Sequence, residues 1–153
     1  LSQVSVSTVA ELTAAVGDSA VDKILVAAGT YDFTSDMCSR SAVCIDRALT
    51  IEAQVPGSVV LDAKGGRRVF NIIQSGGTAE LIGLNITGGS TSWVQSVCLL
   101  NLLQHFLHRP DGTLRAPLFG LQGGGVFVSY NGVANFESCN IHDNTATYVC
   151  LHL

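Results

Sequence analysis

Charge is scarce in this chain. Only 13% of its 153 residues are charged, and the formal net charge is −4. A weakly charged, acidic protein is a poor partner for nucleic acid, whose phosphates demand a clustered basic face. The densest basic cluster, Lys64 with Arg67-Arg68, reads as a solvated turn. Low charge beside 47% hydrophobic residues also excludes a disordered chain, which could not bury enough apolar surface to fold. There is no C-x-x-C pair, and His105, His108, His142 and His152 fall at no zinc-site spacing from the cysteines. Neither a metal nor a cofactor is therefore expected. No apolar run reaches the roughly 20 residues of a membrane-spanning helix, so no transmembrane span is expected. The opening LSQVSVSTVAEL has no basic n-region and no continuous apolar core, so no signal peptide is read in it. Without an initiating Met, and ending abruptly at Cys150-Leu151-His152-Leu153, the chain is expected to be a mature or fragmentary piece.

What is present is repetition. Ala79–Gly89, AELIGLNITGG, overlays Ala134–Asn144, ANFESCNIHDN, at a constant offset of 55 residues. Ala79 falls on Ala134, Leu81 on Phe136, Leu84 on Cys139, Asn85 on Asn140 and Ile86 on Ile141. Upstream, Val59-Val60-Leu61-Asp62 matches Leu84-Asn85-Ile86-Thr87 at an offset of 25. Short apolar segments that recur and close on Gly, Asp or Asn mark a solenoid, because no unit buries its apolar face until a neighbour stacks on it.

Residues 6–17 read as a short amphipathic helix capping the open end of such a stack. Thr8 or Ser7 would cap it, Glu11 would complete a capping box, and Val9, Leu12, Ala15 and Val16 form the apolar stripe. Lys23–Phe33 reads as a strand region with a bend at Gly29-Thr30, and 34–46 as a cysteine-bearing loop. Ala48–Ala53 alternates strictly, and Val59–Leu61, Val69–Ile73, Ala79–Ile86, Gly125–Tyr130 and Val133–Ile141 are further strands. Residues 91–122 fit no repeat. Excising these 32 residues reduces the offset of 55 to 23, close to 25, so they read as an insert between two coils. Trp93–Leu107 within it has ten apolar residues in fifteen and looks helical. The segment is an amphipathic helix folded onto the stack, a loosely ordered stretch, or a contact surface for a partner or membrane; Trp93, Leu99, Leu103 and Phe106 would carry the docking.

Five cysteines are too few for a disulfide-built miniprotein. Cys38 and Cys44, six apart, are a plausible local disulfide, although spacing alone does not show that their side chains meet. Cys139 takes the slot of Leu84 and reads as a small buried hydrophobe. Asn85-Ile86-Thr87 matches the N-glycosylation sequon, with Asn85 facing outward. Asn85 and Asn140 in register would allow an asparagine ladder; each serving its own turn is the equal alternative.

A helix followed by Ala28-Gly29-Thr30-Tyr31, Leu49–Ala53, Val59–Ala63, Gly83–Gly89 and Gly123–Val128 resembles a right-handed parallel β-helix of the pectate-lyase-like superfamily. Gly123–Val128, followed by Phe136 and by Ile141-His142-Asp143-Asn144, is similar to the paired repeats of polymorphic outer-membrane and related surface proteins. There Ile141 stands where Phe is usual, and Gly125 where Ala is. The resemblance covers about 20–90 and 123–147. It implies an all-β, right-handed parallel β-helix of about four coils forming one domain over 1–153, with the helix at 6–17 as its cap and a partly helical insert at 91–122.

Enzymes of that superfamily cleave polysaccharides. By resemblance, its lyases hold Ca²⁺ between carboxylates of neighbouring coils and use an Arg or Lys as base. Here the outward carboxylates are Glu52, Asp62, Glu80, Glu137 and Asp143, and the column of Asp62, Thr87 and His142 holds a single one. Arg67 and Arg68 lack a surrounding catalytic motif, there is no Asp-Asp pair with a Gly-His-Gly element, and His142 stands alone. No catalytic residue is assigned, and the balance leans away from an enzyme. The expectation is a non-catalytic module of a secreted or cell-surface protein, for scaffolding, adhesion or carbohydrate contact, with a carbohydrate or protein partner. Two alternatives stay open. One is a polysaccharide-lyase-like enzyme or a fragment of one; the other is a subunit of a larger assembly docked through 91–122.

Overall fold

The computed structural model describes residues 2–73, 77–91, 113–115, 121–122, 124–129 and 132–146. Among them the protein is all-β apart from one short helix. The chain opens with β1 (Gln3–Val6), followed by α1 (Val9–Gly17). It then lays down β2 (Lys23–Val26), β3 (Gly29–Asp32) and β4 (Ser41–Ile45), and the same order returns as β5 (Ala48–Ala53), β6 (Val59–Asp62) and β7 (Arg68–Ile72). After β8 (Thr78–Ile82) and β9 (Leu84–Thr87) comes the short β10 (Ser90–Thr91). Beyond the next described pieces, β11 (Thr113–Arg115) and β12 (Leu121–Gln122), the chain closes with β13 (Val126–Val128), β14 (Val133–Glu137), β15 (Asn140–Ile141) and β16 (Thr145–Ala146).

These strands form three main sheets. Sheet A runs β1-β2-β5-β8-β14-β11, sheet B runs β3-β6-β9-β15, and sheet C runs β4-β7-β13-β12. From β2 to β9 the chain visits A, B and C in turn, then begins again. Every pairing within the sheets is parallel except those of β11 and β12, which close the ends of A and C antiparallel. A fourth, two-stranded sheet pairs β10 with β16 in parallel.

The register follows the repeat read in the sequence. Ala79 pairs with Ala134, Leu81 with Phe136, Asn85 with Asn140 and Ile86 with Ile141. Val59 pairs with Leu84 and Leu61 with Ile86. Since side chains alternate across a strand, one apolar row per sheet builds a continuous column. Ile24, Ile51, Leu81 and Phe136 stack in sheet A. Tyr31, Leu61, Ile86 and Ile141 stack in sheet B, and Val43, Phe70 and Val126 stack in sheet C. Ile24, Ile51, Leu61, Leu81 and Ile86 have no exposed surface. The rows of the three sheets belong to one hydrophobic core.

The helix begins three residues later than the sequence suggests, because Val6 belongs to β1. Its N-cap is Thr8, whose Oγ1 accepts from the Glu11 N–H at 3.2 Å while Glu11 Oε2 accepts from the Thr8 N–H at 3.2 Å. Leu12, Ala15 and Val16 are buried, and the helix packs on β1, β2 and β4.

Several sequence expectations are corrected. Lys23–Phe33 is not one region bent at Gly29-Thr30: Gly29 opens β3, and the turn lies at Ala27-Ala28. The supposed loop 34–46 contains β4, buried along its whole length. Ala79–Ile86 is two strands in different sheets, split at Gly83, whose φ of 69° favours glycine and whose missing Cβ admits Pro56. The second copy splits at Ser138, with a φ of 53° at the position equivalent to Gly83. Thr91, read as the first residue of the insert, pairs with Ala146 in β10, while Thr113–Arg115 and Leu121–Gln122 join sheets A and C. The helix read over Trp93–Leu107, with Trp93, Leu99, Leu103 and Phe106, lies outside the described residues.

Candidate functional site

Sheet B presents the open polar face that the sequence singles out. Its strands GTYD, VVLD and LNIT alternate, sending Tyr31, Leu61 and Ile86 inward and Asp32, Asp62 and Thr87 outward. Asp32 pairs with Asp62 and Asp62 with Thr87. His142 follows one residue past the β15 pairing, its N–H donating to the Ile86 carbonyl at 3.1 Å. The column thus reads Asp32, Asp62, Thr87, His142. This corrects the single-carboxylate reading, which missed Asp32 because no repeat match in the sequence reaches β3.

Lys64 binds the two carboxylates together. Its Nζ lies 3.0 Å from Asp32 Oδ1 and 3.0 Å from Asp62 Oδ2. Its backbone N–H also donates to Asp62 Oδ1 at 2.7 Å. Lys64 takes a φ of 55°, and the next corner uses Gly88 at 63°, where a Cβ would collide with the Asp62 carboxylate. Partial burial pushes the Asp62 carboxyl up, but the Lys64 N–H, its side-chain hydrogen bond and its charge together bring it below the ordinary value. Lys64 is held above its ordinary value by hydrogen bonds to Asp62 and then Asp32. Both shifts favour the charged forms of Asp62 and Lys64, which suits hydrogen bonding to a hydroxylic ligand and disfavours Lys64 as a general base.

The other sequence candidates are already engaged. Arg67 pairs with Asp36 and donates to the Phe33 carbonyl. Arg68 is not in a solvated turn: it is 6% exposed, donates to Thr91 Oγ1 at 2.9 Å and lies over the Phe127 ring at 4.9 Å. Asn85 Nδ2 donates to the carbonyls of Gly57 at 2.8 Å and Val59 at 3.2 Å. That uses both of its N–H groups on the neighbouring turn, so the register with Asn140 does not draw them into a ladder. His142 Nδ1 lies 2.8 Å from Asp143 Oδ2, with both side chains exposed.

Asn144 is a residue the sequence named only within a motif. Its Oδ1 accepts from Gly89 N–H at 2.8 Å, and its Nδ2 donates to the Ile86 carbonyl at 2.9 Å and the His142 carbonyl at 2.8 Å. It clasps two successive corners, and Gly125 packs where a Cβ would strike its carboxamide.

Cys38 and Cys44 form the disulfide, their Cα atoms 6.1 Å apart. Cys139 is a free, half-buried thiol that donates to the Leu81 carbonyl at 3.1 Å; burial pushes its pKa up. On sheet A, Lys23 Nζ meets Glu52 at 2.6 Å and Thr50 donates to Glu80 at 3.0 Å. Among the described residues no three His, Cys, Asp or Glu side chains converge as a metal-binding group, and no helix is long and apolar enough to cross a membrane. In comparison with known proteins, the chain matches no family model, no curated protein and no solved structure.

Proposed function

We propose that the chain is a right-handed parallel β-helix module of the pectate-lyase-like type. It would serve a secreted or cell-surface protein as a scaffold for adhesion or carbohydrate contact, without catalysis. The observation that carries this reading is the engagement of the outward charges: Lys64 bridges Asp32 and Asp62, Arg67 is held by Asp36 and the Phe33 carbonyl, and Arg68 by Thr91 and the Phe127 ring. Support for the coiled architecture comes from the A-B-C rotation of parallel strands from β2 to β9, and the strong right-handed preference of parallel crossovers favours the right hand. Asp32, Asp62 and Thr87 lie on successive strands, about 4.8 Å apart, and His142 continues the row just past the end of β15. Such a row offers regularly spaced donors and acceptors to an extended polyol.

Glycan-array binding together with a polygalacturonate cleavage assay tests the reading. Binding without cleavage, weakened by Asp62→Ala, is the expected result. Calcium-dependent cleavage lost in Asp62→Ala or Arg67→Ala would instead establish the lyase reading.

The reading as a subunit of a larger assembly draws support from the last coil. Phe136, Cys139 and Ile141 are only partly covered, whereas Leu81, Leu84 and Ile86 at the equivalent positions are fully buried. Light scattering of the intact chain separates the two: a monomer at micromolar concentration fits the isolated module, and a stable oligomer fits the assembly.

A further inference from the structure

The two ends of sheet A are treated differently. At one end lies β1, beyond which no strand follows among the described residues; at the other, β14 is overlaid by β11. The column of Val4, Ile24, Ile51, Leu81 and Phe136 runs from one end to the other. Its three middle members have no exposed surface, whereas Val4 and Phe136 are only partly buried.

The backbone at these two ends is matched in phase. In a parallel pair the N–H and C=O of one residue face the same neighbouring strand, and the facing side alternates along the chain. Lys23 N–H donates to the Ser2 carbonyl at 3.2 Å and Ala27 N–H to the Val6 carbonyl at 2.9 Å. Val4 and Val6 therefore face β2, and Gln3 and Ser5 face outward. Val133 N–H donates to the Gly77 carbonyl at 3.0 Å and Gly83 N–H to the Glu137 carbonyl at 2.8 Å. Ala134 and Phe136 therefore face away from β8. With Val4 of a second copy set on Phe136, Phe136 N–H meets the Gln3 carbonyl and Ser5 N–H meets the Phe136 carbonyl. Direction, apolar column and hydrogen-bond phase would all continue those by which β14 sits on β8.

We propose that β11 and β12 are edge guards, which keep a second copy of this chain from adding its β1 in parallel to β14. β11 pairs antiparallel with β14, Leu114 opposite Ala134. Because Ala134 faces outward, this is the pair that exchanges both hydrogen bonds. On sheet C, Ser129 N–H donates to the Ile72 carbonyl at 2.8 Å, so Val128 faces β12, where Leu121 lies opposite it. The guards have three and two residues, and a very short edge strand is a poor template for further pairing. The chain that carries them leaves and rejoins the sheets at one place, since a Cβ on Gly89 would collide with the Gly124 carbonyl. Contact of β14 with the β1 of another copy is heterologous and leaves a free edge at each end, so unguarded copies would keep adding. The proposal holds whatever sheet B binds.

The test uses the full chain, with light scattering for mass and hydrogen exchange for the edges. The unsubstituted chain is expected to be a monomer at micromolar concentration, with the Ala134 and Val128 amides protected. Leu114→Pro with Leu121→Pro removes one donor from each guard. Exchange at both amides should then quicken about tenfold or more, and the mass should rise with concentration to about twice the monomer value and beyond. Adding Ser5→Pro, whose N–H faces outward and is not used by β2, should return the doubly substituted chain to a monomer. Leu114→Pro alone reads the same outcomes at Ala134 should the double variant not fold. An unsubstituted chain that already associates, exchange at Ala134 that the substitutions do not change, or an opened edge that stays monomeric overturns the guard. Association that survives Ser5→Pro overturns β1 as the strand that is kept out.

Discussion

Sheets B and C take one strand each from the same turns of chain, and their outer faces differ completely. In sheet B, GTYD, VVLD and LNIT alternate, so one face is core and the other carries Asp32, Asp62 and Thr87 toward solvent. In sheet C, SAVCI and RVFNI are buried at every position. Alternation sets Ala42, Cys44, Val69 and Asn71 opposite Val43, Ile45, Phe70 and Ile72, yet both rows are covered. The lesson is that a repeated backbone does not make its faces equivalent. Sheet B is the side on which polar chemistry meets the outside. Sheet C is a closed side, where polar groups have structural partners or, at Asn71 Oδ1, none.

The most forceful way to break this contrast is to place one charge on each outer face. Val69→Asp sets an unpaired carboxylate in a fully buried position and is expected to cost more than about 4 kcal/mol, enough to unfold the chain. Thr30→Asp on the exposed face of sheet B should stay within about 0.5 kcal/mol. Urea denaturation of the two variants reads the difference directly; similar losses would show that the faces are not distinct. The core column sharpens the comparison along the stack instead of around it. Ile86→Ala, in a layer covered on both sides, should cost about 2–5 kcal/mol, and Ile141→Ala, in the partly covered last layer, clearly less, both measured by urea unfolding.

Smaller effects follow. Converting Cys38 and Cys44 together to Ala opens a ring of few residues and should lower stability by about 2 kcal/mol on loop-closure grounds, read as a reduced urea midpoint. The smallest belongs to the open face of sheet B. The Asp62 carboxyl lies below its ordinary value in the fold, so its contribution is present above the unfolded-chain value of about 4 and is lost as pH falls through the lower folded value. Because the group is near the surface and its partner exposed, screening leaves only a few tenths of a kcal/mol. Asp62→Asn should therefore lower the urea midpoint slightly near pH 7 and leave it unchanged at pH 2.

Some of this was written legibly in the chain. Thr8 and Glu11 specify the helix start because a capping box is a contact over three residues, settled locally. The pairings of Leu81 with Phe136 and Leu61 with Ile86 were legible because each strand repeats the apolar pattern of the strand it stacks on. β4 was not legible: a strand buried on both faces loses the alternation that identifies it, and SAVCI between Arg40 and Asp46 looks like a loop. Asp32 was missed at the candidate site because GTYD shares only its final residue and its spacing with VVLD, too little to register by eye.

Sequence by itself determined the periodicity, the inward and outward rows of sheets A and B, and the residues that close the turns, since each of these depends on alternation and local turn chemistry. Tertiary structure alone decided which corner splits a run into two sheets, as at Gly83 and Ser138, and which outer face is sealed. It also decided which distant groups meet: Lys64 between Asp32 and Asp62, and Asn71 beside Cys38. Those outcomes rest on the angle of each turn and on neighbours more than twenty residues away in the chain, such as Asp32 and Lys64, and no local pattern of residues encodes either.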